Sequence, residues 1–403
     1  MKPNYDAVVI GGGYSGLTAV DRIARQRPAT KLLLIDTKRE FVERIRLHEV
    51  AAGRDRRIFD YEPHLEARGV DFLQGNVCEI RTSPSTVTIN LANGGGEEVV
   101  DFRYLVLALG SASNRTLVPG IIEHAVCLDS VGEVGTLAAW AQESQGQLVV
   151  VGGGLTAFEA AAEFAERYPG LDVTLLAAGT LAASQEPGGY CEAAIEHLRK
   201  TFERLKIHFR ENSRVEKLEA GKAILKNGDT VVFDRCIWAG GFRVSDLPRR
   251  AGIDVAENGR VLCTPTLQSV SHRSIIATGD IANAVADPGG PCRMSCAAGR
   301  PMGEAAAATT LALLEGTAPP AFRFAYTFRC VSLGRNDGLI QFVDFQDRPS
   351  DDIWTGSRAA KWKEYVCQRT VAGVGLIEEV LPPDNPPVPL TSQNAFPILY
   401  GEG

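Results

Sequence analysis

The chain has 403 residues, more than one compact core usually organises, so we expect two or three domains. Its apolar and charged fractions, 45% and 23%, are typical of a soluble globular protein, and its net charge of −7 argues against nucleic-acid binding as a main role. No apolar run reaches the roughly 18 residues that span a bilayer, no signal peptide is evident, and nine scattered cysteines favour a reduced, cytoplasmic setting.

The N-terminus carries a glycine-rich fingerprint, Val8-Val9-Ile10-Gly11-Gly12-Gly13-Tyr14-Ser15-Gly16. It follows an apolar run and opens a helical pattern, which is the context that a dinucleotide site requires. Gly11 permits a tight turn, Gly13 lets the backbone approach a pyrophosphate, and Gly16 lets the helix lie close to the strand. We expect the amino end of this helix to bind the phosphates.

A second apolar run, Lys31–Ile35, ends at Asp36, whose carboxylate can accept hydrogen bonds from both ribose hydroxyls. Strand, glycines, helix, strand and acid in this order form a specific signal for a dinucleotide site. We therefore predict a first dinucleotide-binding domain over residues 1–112. A β-rich insertion is predicted within it over Val70–Val100, with a turn at Asn93–Gly96.

The same pattern recurs 141 residues later, in Val149-Val150-Val151-Gly152-Gly153-Gly154-Leu155-Thr156-Ala157. Ala157 stands in the third glycine position, which is a tolerated variant. The next strand, Asp172–Leu176, leads to Ala177, where neither a carboxylate for a 2′-hydroxyl nor an arginine for a 2′-phosphate is present. We predict that the second domain, residues 113–250, takes NADH or NADPH without selectivity. Weak binding of both, or loss of the nicotinamide partner, are the alternatives.

Residues 251–318 are predicted to return to the first domain and to end in an alanine-rich helix over Pro301–Glu315. Pro301 suits the first helical position and disfavours a helical Arg300, and Gly316 ends the helix. Residues 319–403 form a third unit, with strands at Phe328–Leu333 and Gly338–Val343 around a turn, and a proline-rich, extended tail from Leu381. We expect Ser357–Val371 to form a helix packed on the body with its basic residues in water. Weak contact with a membrane surface is the alternative.

Three further motifs, Tyr104–Ser111, Cys236–Phe242 and Ser274–Ile281, join the two fingerprints in a family resemblance. Together the five motifs resemble the pyridine nucleotide-disulfide oxidoreductases with two dinucleotide-binding domains, above all the branch of type-II NADH dehydrogenases and apoptosis-inducing-factor-like proteins. The resemblance implies an α/β fold with two Rossmann-like domains of the glutathione-reductase type, for FAD and NAD(P), plus a small C-terminal α+β unit. It also implies an FAD-dependent NAD(P)H oxidoreductase.

The resemblance also assigns cofactor-binding residues. Asp280 would hold a ribityl hydroxyl of FAD, and the positive end of the predicted helix from Pro301 would face the N1–C2 edge of the flavin. The FAD site would comprise Gly11, Gly13, Tyr14, Ser15, Gly16, Asp36, Thr37, Lys38, Arg44, Val77, Ala108, Gly110, Gly279, Asp280, Pro301 and Met302. The nicotinamide site would comprise Gly152, Gly154, Leu155, Thr156, Gly240 and Gly241.

Glu159 and Glu163 occupy positions where this branch carries an acidic pair, and their spacing of four places them on one helix face. By resemblance, Glu159 lies near the nicotinamide and flavin rings. Glu163 is expected to be a solvated or ion-paired surface acid. Quinone-reducing members carry a glutamine-rich segment where this chain reads Met294–Gly303 without glutamine, and this departure counts against a quinone as the acceptor.

Further candidate catalytic residues lie in Phe41–Glu49, which follows Asp36 and should cross toward the flavin. His48 could donate a proton to the acceptor, and Arg46 could stabilise an anionic flavin or substrate. The alternative is that both bind pyrophosphate or loop carbonyls. The two would point the same way from an extended segment and apart from a helix. Cys292 and Cys296 could form a redox pair if a helix brought them together. No metal-ligand spacing is apparent.

We expect the protein to reduce a small-molecule electron acceptor, such as a quinone, with FAD and NADH or NADPH as cofactors, and a homodimer is a candidate assembly. One alternative is a flavin dehydrogenase or oxidase whose organic substrate is itself the hydride donor. The other is a flavin-bound signalling protein of the apoptosis-inducing-factor type.

Overall fold

The computed structural model describes residues 3–383, and its architecture is α/β, built on two parallel sheets. Of the predicted proline-rich tail, only residues 381–383 are described, and the rest of that prediction lies outside the described residues. Among the described helices, none combines the length and the apolar character needed to cross a bilayer.

The first part of the chain supplies most of the first sheet. Short 3-10 turns occur at Arg44–Arg46 and Ala92–Gly94. The elements are β1 Asn4–Ile10, α1 Tyr14–Gln26, β2 Leu32–Asp36, β3 Glu40–Phe41, α2 Leu47–Ala51, β4 Phe59–Asp60, α3 Tyr61–Glu66, β5 Asp71–Thr82, β6 Ser85–Leu91, β7 Glu97–Leu107 and β8 Ala112–Ser113.

The middle of the chain forms the second sheet and its helices. The elements are α4 Ile121–His124, β9 Val126–Cys127, α5 Val131–Glu143, β10 Gln147–Val151, α6 Leu155–Arg167, β11 Asp172–Leu176, α7 Glu192–Arg204, β12 His208–Arg210, β13 Val215–Glu219, β14 Lys222–Leu225, β15 Thr230–Val232, β16 Arg235–Trp238, β17 Phe242–Arg243 and α8 Leu247–Arg250.

The last part returns to the first sheet and then builds a separate small sheet. A 3-10 turn spans Gly279–Ile281. The elements are β18 Val261–Leu262, β19 Ile275–Ala277, β20 Ala282–Asn283, β21 Val285–Pro288, β22 Gly290–Pro291, α9 Cys296–Glu315, β23 Arg323–Phe324, β24 Phe328–Ser332, β25 Gly338–Val343, β26 Pro349–Thr355 and α10 Gly356–Ala372.

The first sheet has β1 at its centre, with β2 and β7 as parallel neighbours, β5 beyond β2 and β19 beyond β7. Leu32–Ile35 of β2 and Ile275–Ala277 of β19 are continuous buried apolar runs, as is typical of a parallel sheet. The long strands β5 and β7 continue past this sheet and pair antiparallel with β6. This extension confirms the predicted β-rich insertion.

The second sheet is parallel throughout, in the order β12, β11, β10, β16 and β9. The chain passes from the first sheet to the second through β8 and returns through β17. These two connections are adjacent, because β8 and β17 pair antiparallel. The α/β fold with two Rossmann-like units is thereby confirmed, while the domain boundaries at 112, 250 and 318 stay predictions.

Helix α9 begins at Cys296, so the prediction that it begins at Pro301 is wrong. Ser295 is extended, with φ −158° and ψ 152°, and its carbonyl accepts a hydrogen bond from the Gly299 amide at 3.0 Å, as the residue before a helix does. Pro301 lies inside the helix and removes only one backbone donor there. The rule that disfavours a helical residue before proline is a bias, and Arg300 overrides it. The predicted end is confirmed, because Gly316 has φ +73°.

The C-terminal unit is an antiparallel sheet of β24, β25 and β26 with α10 packed against it. The two predicted strands and their turn are confirmed, and β26 is an addition. Val331, Leu333 and Leu339 pack into the same apolar core as α2 and α6. Residues near positions 50, 160 and 335 are thereby brought together.

Candidate active site

The first fingerprint forms a cradle whose glycines are required by close backbone contacts. A Cβ on Gly11, which has φ +102°, would lie 2.3 Å from the carbonyl oxygen of Ala108. A Cβ on Gly16 would lie 1.9 Å from the carbonyl oxygen of Gly11. Gly13, by contrast, faces open space. Its backbone is therefore accessible to a diphosphate at the amino end of α1, as FAD binding requires.

Asp36 lies where the sequence places it, at the end of β2 beside the cradle. Its carboxylate accepts hydrogen bonds from the backbone amides of Gly12 at 2.6 Å and Lys38 at 2.8 Å. Thr37 and Lys38 themselves are exposed at the strand end. A carboxylate fixed in this way is suited to a ribose diol. The residues of the first cradle thus fit the adenosine part of FAD.

The second flavin motif meets the first cradle at Ser15. Gly279 has φ +71°, and a Cβ on it would lie 2.4 Å from the Ser15 hydroxyl. Asp280 accepts a hydrogen bond from the Ser111 hydroxyl at 2.7 Å. The hydroxyl of Thr278 is buried and has no hydrogen-bond partner within residues 3–383. Asp280 and Thr278 are thus available to a polar cofactor chain such as the ribityl group.

Four other predicted FAD residues differ in their surroundings. Arg44 donates to the carbonyl of Ser111 at 2.6 Å and to the carboxylate of Asp129 at 3.0 Å, so its guanidinium joins the two sheets. Gly110, with φ +63°, faces open space. Val77 is buried in β5 where that strand pairs with β6. Tyr14 opens α1, and its ring packs edge-on against Phe41 at 5.0 Å.

The earlier start of α9 changes which amide groups face the flavin region. The free donors of a helix belong to its first residues, here Cys296, Ala297 and Ala298. Pro301 and Met302 lie further along the helix with buried side chains. The helix therefore begins five residues before Pro301, and the expectation that Pro301 lies at its positive end is wrong.

The second fingerprint repeats the backbone of the first. A Cβ on Gly152 would lie 2.7 Å from the carbonyl oxygen of Ala239, and Gly154 faces open space. Leu155 and Thr156 open α6, as predicted. Gly240 and Gly241 follow β16, and Gly241 has φ +134°. These residues fit a second dinucleotide.

Glu159 is buried on α6 and bonded to two groups of the C-terminal unit. Its carboxylate lies 2.8 Å from the Lys363 ammonium on α10 and accepts the backbone amide of Ser332 at 3.1 Å. Burial alone would raise the pKa of Glu159, but the Lys363 charge, and the His48 imidazole where it is protonated, lower it below its usual value. Burial opposes the charge of Lys363, yet Cys330 and Glu159 raise its pKa. Both groups are therefore ionised at neutral pH.

Arg46 ends a 3-10 turn and His48 lies in α2, and the side chains of both reach the Glu49 carboxylate, at 3.2 Å and 3.9 Å. The His48 side chain is 3% exposed. Burial lowers its pKa, while Glu159 and Glu49 act in the opposite direction. Its imidazole is therefore neutral near pH 7. Arg46 is held by Glu364, at 2.6 Å, and by Glu49, at 3.2 Å, so its charge is already balanced by protein carboxylates.

Glu163 is fully buried, so the expected position at the surface is wrong, although the expected ion pairing is found. It pairs with Arg54 and, at 3.1 Å, with Arg335. Arg335 lies in the turn between β24 and β25 and also reaches Glu49 at 3.2 Å. Glu163 therefore helps to hold α2, α6 and the C-terminal sheet together.

The cysteines do not form the pair that their spacing suggested. All nine are free thiols, and Cys292 precedes α9 whereas Cys296 begins it, so a shared helix does not join them. Burial raises the pKa of the Cys296 thiol to about 11, against the opposing effect of Lys363. The Cys296 thiol is therefore protonated at neutral pH.

Two clefts flank the Glu49–Glu364 region. One, of about 250 Å³, is lined by Arg46, Glu49 and Glu364 among others. The other, of about 360 Å³, is lined by Lys363, Ser332 and Arg335. The larger cleft thus has an ammonium group and a guanidinium group in its wall.

Lys363 is a site residue that sequence reasoning missed, since the basic residues of α10 were expected in water. Its side chain is only 13% exposed. A signal for this was present, because Ala359, Lys363, Cys367 and Val371 recur every four residues and so share a helix face. The other three are buried. A lysine on an apolar helix face indicates a buried ion pair.

Comparisons with known proteins identify the family of the chain. The family model of the pyridine nucleotide-disulphide oxidoreductases matches residues 5–308. The type II NADH:quinone oxidoreductase of Haemophilus influenzae is 24% identical over 391 residues, which cover 83% of this chain and 86% of that protein.

Two solved structures share the fold. The sulfide:quinone oxidoreductase from Aquifex aeolicus has a TM-score of 0.76 at 19% identity and covers 94% of this chain and 96% of its own. The NDH2 structure from Plasmodium falciparum has a TM-score of 0.74 at 12% identity, with 93% and 97% covered. The chain belongs to the pyridine nucleotide-disulphide oxidoreductase family, and it is an oxidoreductase that uses FAD and NAD(P)H.

Proposed function

We propose that this protein oxidises NADH or NADPH and passes the electrons through FAD to a small quinone-type acceptor. The observation that carries the proposal is the buried Glu159–Lys363 ion pair, which joins the second nucleotide domain to the C-terminal unit at 2.8 Å. The relative named as a type II NADH:quinone oxidoreductase aligns with 83% of the chain, which supports the same activity here.

FAD supplies the chemistry of accepting a hydride and releasing two electrons. In the proposal, the first cradle and Asp36 orient it, and the cradle at Gly152–Thr156 holds the nicotinamide nucleotide. Lys363 lines the larger cleft, where its ammonium can stabilise negative charge that develops on an acceptor oxygen. The glutamine-rich segment that quinone-reducing members carry, by the resemblance, is absent at Met294–Gly303, and we propose Lys363 as the donor instead.

His48 is proposed to take part in proton transfer, because its buried imidazole is neutral near pH 7 and lies in the field of Glu159. Arg46 is proposed as a positioning residue, since Glu364 and Glu49 already bind its guanidinium. We further propose a reducing compartment, the cytoplasm, on the basis of nine free thiols. A homodimer and weak contact with a membrane surface stay predictions.

An anaerobic titration followed by acceptor turnover tests the proposal. We expect NADH or NADPH to bleach the flavin band, and a naphthoquinone to restore it. The flavin of Lys363→Met should be bleached as in wild type. Its kcat/KM for the quinone should fall about 100-fold, as it does when an oxyanion donor is removed. Lys226→Met, at an exposed lysine that lines neither cleft, is the matched control.

Because Lys363→Met leaves Glu159 buried without its counter-charge, the double variant with Glu159→Gln should be measured as well. Absence of bleaching with both nucleotides would reject the proposal in favour of a substrate that is itself the hydride donor. Bleaching without turnover of any quinone or dye would favour a signalling role.

A further inference from the structure

Arg329, in β24, is a buried cation that the residues around it do not satisfy. Its side chain is 3% exposed. None of its three guanidinium nitrogens has a hydrogen-bond acceptor in the described part of the chain. The nearest carboxylate oxygen, on Asp347, is 3.7 Å from its Nε, beyond hydrogen-bond distance. A buried guanidinium keeps its charge and is costly without partners.

The carboxylate of Asp347 is bound by a second arginine. Arg293 lies 2.8 Å from one Asp347 oxygen and donates to the other at 3.2 Å. Two guanidinium groups therefore share a single carboxylate. The arginine cluster, which we define as Arg293, Arg329, Asp347 and Tyr190, thus has a net positive charge.

Tyr190 completes the cluster from the second nucleotide domain. The guanidinium of Arg329 lies over its ring, 5.0 Å from the centroid. The Tyr190 hydroxyl is also buried and lacks a hydrogen-bond partner among the described residues. Both unpartnered groups can donate hydrogen bonds, so a ligand that satisfies them must accept hydrogen bonds and, to balance the charge, must be anionic.

The arginine cluster adjoins the elements of the active site. Arg329 is three residues before Ser332, whose backbone amide binds Glu159. Arg293 is three residues before Cys296, where the free amides of α9 begin. The exposed end of β11, at Ala178–Thr180, is where a 2′-phosphate of NADPH would lie. The cluster lies elsewhere, because Tyr190 follows Thr180 by ten residues and packs against Arg329 of the C-terminal sheet.

We propose that the arginine cluster binds an oxyanion group, such as a carboxylate or sulfonate, carried by the electron acceptor. This inference rests on the proposed function and specifies its substrate class as acidic rather than neutral. Arg329 would hold two oxygens of the group through its planar fork, and the Tyr190 hydroxyl would donate to one of them.

Turnover of a matched pair of acceptors tests this with the flavin-loaded, full-length protein. The probes are 1,4-naphthoquinone and its 2-sulfonate. We expect Arg329→Gln to lower the ratio of kcat/KM, sulfonate over parent quinone, by at least about tenfold, the typical effect of a lost charge-assisted hydrogen bond. Arg329→Lys should retain part of the ratio. Tyr190→Phe, which removes a single hydroxyl, should lower it less and serves if Arg329→Gln fails to fold.

Arg103→Gln, at an exposed arginine of β7, is the charge-matched control and should leave the ratio unchanged. A ratio within twofold of wild type in Arg329→Gln would overturn the inference. If Arg329→Gln lowered kcat/KM for NADPH but not for NADH, the inference would also be overturned, because the cluster would then bind the donor nucleotide.

A binding measurement separates this inference from the quinone proposal. Thermal unfolding is recorded in sodium sulfate and in sodium chloride at equal ionic strength. We expect sulfate to raise the midpoint of wild type more than that of Arg329→Gln, since a ligand stabilises the state that binds it. If wild type reduces neither quinone, the proposed function fails. If sulfate raises the unfolding midpoint equally in wild type and Arg329→Gln, the oxyanion site is overturned. A sulfate shift with an unchanged acceptor ratio would mean a free inorganic anion only, and would overturn the assignment to the acceptor.

Discussion

The two nucleotide cradles have nearly the same backbone but different side chains. The turn glycine of each bonds back to the neighbouring strand, Gly11 to Ile35 at 2.8 Å and Gly152 to Leu176 at 2.9 Å. In both cradles the following strand then contributes one more residue, Asp36 in the first and Ala177 in the second. The backbone turn is therefore common to both cradles, and we expect the side chains to decide how firmly and how selectively a dinucleotide is held.

The first cradle is also packed more tightly than the second. The helix after the first glycines approaches so closely that only glycine fits at position 16. The second cradle has Ala157 in the same position, fully buried. A tight cradle with a fixed carboxylate suits a resident cofactor, whereas a looser one without the acid suits a nucleotide that must leave after each turnover.

Gly16→Ala should have the largest effect, because its Cβ would lie 1.9 Å from the backbone oxygen of Gly11. We expect a loss of about 3 kcal/mol in the free energy of unfolding, as overpacking in a rigid site gives, together with loss of FAD. Flavin absorbance of the purified protein and thermal unfolding measure both. The mirror variant Ala157→Gly should cost about 1 kcal/mol, from helix propensity alone. Equal losses in the two variants would contradict the difference in packing.

Asp36→Ala should weaken FAD binding by about 2 kcal/mol, which is roughly 30-fold in Kd. The variant removes the carboxylate that would bind the ribose and leaves the Gly12 amide without its acceptor. The recovery of free-flavin fluorescence on dilution measures FAD release and gives the Kd. An unchanged Kd would mean that the diphosphate cradle alone accounts for the affinity.

Ala177→Asp would give the second cradle the acid of the first. Ala177 comes directly after β11, Asp36 is the last residue of β2, and Ala177 adjoins Gly153 as Asp36 adjoins Gly12. A carboxylate there accepts the ribose hydroxyls of NADH and repels the 2′-phosphate of NADPH. We expect kcat/KM to shift about tenfold toward NADH, which corresponds to about 1.4 kcal/mol.

Ala178→Asp, one residue further along and exposed, is the matched control for this change and should alter the preference less. If Ala177→Asp leaves the ratio of NADH to NADPH turnover unchanged, the ribose does not lie at the end of β11.

The cradles could be predicted from the sequence because their requirements are local. The spacing of Gly11, Gly13 and Gly16 within one strand, turn and helix carries the whole condition, and Asp36 follows on the adjacent strand. The start of α9 was missed for a related reason, because a local rule about proline was given more weight than the alanines before Pro301, which favour a helix.

The ion-pair network could not be predicted, because it depends on contacts between distant parts of the chain. Arg335 joins Glu49 on α2 to Glu163 on α6, positions more than a hundred residues apart. Local composition shows that these residues are charged but not that they are buried together. Lys363 is the exception, since its position on an apolar helix face was visible.

The smallest expected effect concerns the pH dependence of stability, and it compares one histidine in each nucleotide region. His64, on α3 of the first, is partly buried, and its Nε2 has no hydrogen-bond partner among the described residues. Burial, reinforced by Arg68, lowers its pKa from 6.5 to about 4. The unfolded chain therefore takes up a proton at a higher pH than the folded protein does. Stability from this residue is complete above about pH 6.5 and is lost as the pH falls toward 4.

We expect His64→Asn to remove this contribution. Between pH 7.5 and 5.5, wild type should lose about 1 kcal/mol more of its free energy of unfolding than the variant, measured by denaturant titration at each pH. His208→Asn provides the control in the second region, where the side chain is 67% exposed, and should follow wild type. If His64→Asn loses as much stability as wild type over this range, another buried group sets the acid sensitivity.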